Sequence, residues 1–203
     1  MTNKAVLISI RPKWCELIAS GKKTVEIRKT HPKIETPFKC YIYCTKDHGN
    51  EGSATHFFES EDGTFTSAGK TYAAFLSGTV IGEFVCDQIE KIGVAFRGGD
   101  GPLVARGGNE VWKDGMLEYM SCLSTDDICR YIGGVGGTGY GWHISNLVIY
   151  DKPKQLSEFM KPCEPDEDGI YLCAQCKRLG ENYGCGGTIL RPPQSWCYVE
   201  VLE

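Results

Sequence analysis

The sequence predicts an α+β fold of short strands and small helices, interrupted by two polar excursions. Three observations carry this. Runs at 5–10, 38–45, 79–87 and 140–150 are rich in β-branched and aromatic residues, and most alternate apolar with polar side chains. Stretches opening at Pro12 and Ser124 instead carry apolar residues at helical spacing. Residues 46–78 and 163–187 are rich in Gly, Ser, Thr and acidic residues and hold little that would fill a core. The chain therefore reads as a single domain over 1–203 with insertions at 46–78 and 163–187.

In order along the chain, Ala5–Ile10 reads as a buried strand. Pro12 suits a first helical turn, and Trp14, Leu17 and Ile18 give that helix one apolar face until Gly21 ends it. A glycine there can turn left-handed and send the chain straight into a strand. Phe38–Thr45 alternates as a strand, and Thr79–Asp87 resumes the sheet with Gly82 marking a bend or bulge. Glu83 groups with Ile81 and Val85 in alternation, which reads as an inward carboxylate with a raised pKa or as an exposed edge position. Ser124 or Thr125 caps a helix whose face is Ile128, Tyr131 and Ile132. The glycines of 133–139 precede a strand, whereas a dinucleotide fingerprint needs strand, glycines and then helix, so a Rossmann site is rejected. Tyr140–Tyr150 reads as one long strand with Trp142, Ile144 and Val148 opposing His143, Ser145 and Leu147, and His143 reads as hydrogen-bonded structure. Trp196–Val201 closes the chain as a last strand.

The net charge of −4 argues against indiscriminate nucleic-acid binding, but the charge is uneven. Residues 1–46 carry ten Lys and Arg against three Glu, and the rest of the chain is strongly acidic. A basic patch from Arg11, Lys13, Lys22, Lys23, Arg28, Lys29, Lys33, Lys39 and Lys46 would steer a polyanion to one face. No apolar run approaches the roughly 18–20 residues that span a bilayer, and Met1–Lys4 does not resemble a signal peptide, so a cytoplasmic location without a membrane partner is expected.

The most informative stretch is Ser20–Lys29. Val25 and Ile27 alternate with Thr24, Glu26 and Arg28, so Glu26 and Arg28 point the same way. Alone, they could be an exposed ion pair worth about 0–1 kcal/mol. The spacing Gly21-x-Lys23-x-x-Glu26-x-Arg28, after an apolar strand and helix, resembles the signature of the ASCH domain family. That resemblance implies a small PUA-like β-barrel with flanking helices and a cleft for RNA, single-stranded nucleic acid or a nucleotide. Lys22, Lys23, Arg28, Lys13 and Trp142 are then the expected nucleic-acid contacts. Some ASCH-like proteins hydrolyse an acylated cytidine with a lysine matching Lys23 and a threonine matching Glu26, and weak ribonuclease activity is also known among relatives. An enzyme of this kind would use Lys23 and Glu26 as catalytic residues, the carboxylate as base and the lysine on the oxyanion. Equally, Glu26 would pair with Lys23 and silence it.

Cysteine usage changes after Pro162. Cys15, Cys40, Cys44, Cys86, Cys122, Cys129 and Cys197 are scattered through apolar segments as free thiols. Cys163, Cys173, Cys176 and Cys185 sit where there is little else to bury, and the two-residue gap of Cys173-Ala174-Gln175-Cys176 lets both thiolates reach one metal. A structural Zn²⁺ held by all four is expected. A redox Cys-x-x-Cys lacks its usual βαβ setting, and two ordinary thiols are the remaining alternative.

Overall fold

A computed structural model of the chain describes residues 4–46, 52–96, 103–107, 115–162 and 187–202. The α+β class expected from the sequence is what it shows, with strands predominating. A five-stranded sheet is built around β1 (Lys4–Ile10), with β3 (Phe38–Cys44) parallel to it on one side and β12 (Trp196–Glu200) antiparallel on the other. Beyond β3 come β7 (Val80–Cys86) and then β11 (Ser145–Lys154), both antiparallel to their neighbours. β1 is buried on both faces. Val6, Ile8 and Ile10 point into the main core with Phe84 and Trp142, while Ala5 and Leu7 pack on the opposite face with Tyr41 and Phe159. This is why its sequence reads as a continuous apolar run.

The second sheet has the order β2 (Val25–Arg28), β10 (Thr138–His143), β8 (Ile89–Phe96), β9 (Leu103–Gly107). One side of it packs on two helices. α2 (Met116–Ser121) and α3 (Thr125–Ile132) bring Leu117, Ile128 and Ile132 against Val25, Ile27, Ile92 and Val94. Ser124 caps α3, accepting from Asp127 N at 3.1 Å. α2 was not foreseen. At six residues it is too short to show a period, and its stability comes from packing.

The two sheets share strands. β7 runs into β8 across Asp87 and Gln88, and β10 runs into β11 across Ile144, so both chains turn a corner from one sheet to the other. The long strand expected over 140–150 is thus broken. Asn146 takes a positive φ of 46°, and the pairing with β7 slips between Ser145 and Val148. That bulge reverses the alternation, which leaves Val148 half exposed and packs Leu147 on the core, the opposite of the expected faces. Gly82 lies under the same strand, where a Cβ would sit 2.3 Å from the Val148 carbonyl oxygen. Only glycine allows that approach.

Among the described residues, backbone pairing does not complete a barrel. The gap between β2 and β12 is bridged largely by side chains: Trp196 Nε1 donates to Thr30 Oγ1 at 3.1 Å, and Lys33 N donates to the Tyr198 hydroxyl at 2.7 Å. A third sheet, β4 (Thr55–Glu59), β6 (Lys70–Leu76) and β5 (Phe65–Ser67), occupies most of the described part of 46–78 and rests on α1 (Pro12–Ala19). His56 and Glu16 meet there at 3.1 Å. No described helix is long and apolar enough to cross a membrane.

Candidate functional site

Gly21 ends α1 with a φ of 70°, and the turn it makes separates two adjacent lysines. Lys22 goes outward and pairs with Glu59 of β4 at 3.6 Å, with over half of its side chain exposed. Lys23 goes inward and is 2% exposed. Its ammonium donates to the Ser121 carbonyl at 2.7 Å, in the last turn of α2, where helix carbonyls lack backbone partners and a cation is favoured. Thr24 N is tied to the same turn, donating to Met120 O at 2.9 Å. The short helix that the sequence hid therefore fixes the position of Lys23.

Glu26 and Arg28, each 7% exposed, leave β2 on the same side. Glu26 Oε2 lies 3.3 Å from Lys23 Nζ, and its Oε1 lies 3.0 Å from Arg28 Nη2. The carboxylate is thus shared by two cations. Arg28 Nη2 also donates to the Ser9 carbonyl at 2.6 Å, and Nη1 reaches Ser195 Oγ at 3.4 Å, so this side chain spans from β2 to β1 and the approach to β12. Its Nε–H is buried without an acceptor among the described residues.

These three side chains floor an open cavity of about 940 Å³. Lys13 and Trp14 of α1 line one wall, with the Lys13 ammonium 4.8 Å and the Lys23 ammonium 5.4 Å from the indole centroid. Tyr131, Arg130 and Asp127 of α3 contribute, as do Arg11, Lys29, Lys46 and the Pro192–Gln194 loop. Among the described residues, seven Lys and Arg line the space against two carboxylates, in a chain whose net charge is −4. The rim comes from residues far apart in sequence, which local spacing could not reveal. The basic residues early in the chain were the available hint, since Arg11, Lys13, Lys29 and Lys46 all line the cavity.

Other expected residues lie elsewhere. Lys22 is absent from the lining of this cavity. Trp142 is 0% exposed, its ring wedged between Phe38 and Trp196 at centroid distances of 6.0 Å, so it presents no face for a base. Glu83 does not have the raised pKa that an inward carboxylate suggested. Burial pushes it up, but hydrogen bonds from Lys39 at 2.8 Å and Tyr150 at 2.6 Å outweigh this and hold it below the ordinary carboxylate range. Burial and that same bond raise the Tyr150 phenol. His143 pairs with Asp87 at 2.7 Å, a bond that, against partial burial, holds the Asp87 carboxyl low. Cys163, Cys173, Cys176 and Cys185 lie outside the described residues. The ends of their segment are joined, since Met160 bridges Thr188 and Lys161 N donates to Gly187 O at 2.9 Å.

A mixed-sheet protein with an ion-paired floor beneath a cationic rim is the class that fold and cavity define. Residues 8–91 match the family model described as the ASCH domain, and the matched span includes Lys23, Glu26 and Arg28. Among solved structures, the ASCH protein of Zymomonas mobilis aligns over 99% of this chain and 90% of its own, at 18% identity and a TM-score of 0.44. Two single-substitution mutants of that protein each align over 98% of this chain with a TM-score of 0.48, one at 17% identity over 91% of its length and the other at 16% over 89%. A comparison with curated proteins finds no match.

Proposed function

We propose that this ASCH domain binds a nucleotide unit, as part of RNA or another single-stranded nucleic acid or as a free nucleotide, over the floor made by Lys23, Glu26 and Arg28. The observation that carries the reading is an unbalanced, buried charge cluster beneath an open cationic cavity. Two buried cations share one carboxylate, which leaves a positive surplus in a place where desolvation makes a missing anion costly. A phosphate entering from the rim supplies that anion, and its approach is favoured by Arg11, Lys13, Lys29 and Arg130. Trp14 and the half-exposed Tyr131 offer aromatic surface for a base in the same space. In this reading the corner-turning sheets are the small PUA-like barrel, with its seam joined by side chains.

Binding is preferred over hydrolysis because both oxygens of Glu26 are already occupied by cations, a poor state for a general base. The test is equilibrium binding of a single-stranded RNA oligonucleotide over a series of salt concentrations, run beside turnover of an acylated cytidine. Binding that weakens linearly in log salt, with no turnover, supports the reading; turnover abolished by Lys23→Met would replace it with the hydrolase. We also propose, from the cysteine spacing, a structural zinc on Cys163, Cys173, Cys176 and Cys185. Metal analysis should find about one zinc per chain, lost on Cys173→Ser. A zinc-free chain would refute it.

A further inference from the structure

A second hollow adjoins the first. It encloses about 540 Å³, and Thr45, Lys46 and Pro192 line both. Its character differs. Among the described residues Lys46 is its only charged one, and its apolar surface is that of Leu156, Leu190 and Pro192 over the buried Tyr43 and Ile189, with the polar Gln155 and Ser157 beside it. Ile189 is buried at 2% exposure, while Leu190 stands 80% exposed as an apolar ledge. Each hollow falls within the range of about 300–1,000 Å³ that accommodates one small ligand. A single nucleotide needs only the first.

Building on the nucleotide reading above, we infer that the two hollows form one groove for a single-stranded oligonucleotide, with Lys46 between them at the phosphate that links two adjacent nucleotides. The first hollow takes a phosphate and its base over the charged floor. The second takes the neighbouring base on its apolar surface, where no carboxylate among the described lining residues repels the backbone. Alternation of a cationic station with an apolar one is what a single strand presents, since charge repeats along the backbone and flat apolar faces repeat beside it. A peptide has no such repeat of negative charge.

The experiment uses the full chain and compares each of the four 5′-ribonucleoside monophosphates with RNA and DNA tetranucleotides of mixed sequence, by calorimetry or fluorescence anisotropy across a salt series. RNA tetranucleotides should bind about tenfold or more tightly than the best monophosphate, with a salt slope steeper by about 0.7 for each further phosphate engaged. Leu190→Glu, at an exposed position that the fold does not need, should shrink that advantage at least about fivefold by repelling the strand. Lys46→Ala should remove about 0.7 from the tetranucleotide's slope. A DNA tetranucleotide that matches RNA supports the groove and shows that the 2′-hydroxyl is not read. Equal binding of monophosphate and tetranucleotide, or an advantage that Leu190→Glu leaves intact, overturns the groove while the nucleotide site stands. Failure of every nucleotide and oligonucleotide to bind overturns both.

Discussion

Two Lys–Glu clusters, one at β2 in the four-stranded sheet and one across β3 and β7 in the five-stranded sheet, differ in burial and in charge count. At Lys39, Glu83 and Tyr150, one carboxylate takes a hydrogen bond from a lysine and another from a neutral phenol, and both partners are partly open to solvent. Lys154 also acts on this carboxylate and is itself matched by Glu158 at 3.8 Å. At Lys23, Glu26 and Arg28, one carboxylate is divided between two cations, all three groups are nearly sealed from water, and one guanidinium donor has no acceptor among the described residues. The second cluster is the one to which the proposed function assigns an anion. Burial together with an uneven charge count marks a binding site, whereas an ion pair alone does not.

The largest expected effect that sharpens this contrast is on folding. Glu26→Ala leaves two buried cations with no counter-charge and should lower stability by about 3–5 kcal/mol. Glu83→Gln, in the balanced cluster, should cost only about 1–3 kcal/mol, the scale of hydrogen bonds to a charged group. Urea denaturation of both variants measures the difference, and equal losses would break the distinction. An anion present in the folding buffer should recover stability only where the surplus cations lie.

Next in size is the pH dependence of the balanced cluster. The Glu83 carboxyl holds its proton more weakly in the folded chain than in the unfolded one, so its contribution is present above the ordinary carboxylate pKa and fades as pH falls through and below about 4. The stability gap between wild type and Glu83→Gln should therefore close on acidification. A gap that widened toward low pH would contradict the assignment. The smallest expected effect is optical: ligand in the first cavity should alter tryptophan emission through Trp14, and Trp14→Phe should remove most of that change, because among the described residues Trp14 is the tryptophan that lines this cavity.

The polar side of β2 was legible because period-two alternation depends only on the chain's own geometry, and Glu26 and Arg28 do share a face. Alternation says nothing about which of Lys22 and Lys23 enters. That is decided by the turn at Gly21 and by the Ser121 carbonyl, 98 residues away in sequence. Trp142 fitted the pattern of a strand and was still misplaced as a ligand contact, since the pattern identifies a face without saying whether solvent or core lies against it. The bulge at Asn146 shows the converse limit. One residue with a positive φ reversed every later assignment on β11.

The most direct test of the cavity's role compares cations from the two regions by RNA binding across a salt series. The double variant Lys13→Ala/Arg130→Ala removes rim charge without disturbing the buried floor, and Lys39→Ala removes an equally basic residue from the balanced cluster. The rim variant should weaken RNA binding about tenfold and lower the slope of log affinity against log salt by about 1.4, two phosphate contacts' worth, with Lys39→Ala close to wild type. Equal losses from both regions, or none from the rim, would contradict a nucleotide site over Lys23, Glu26 and Arg28.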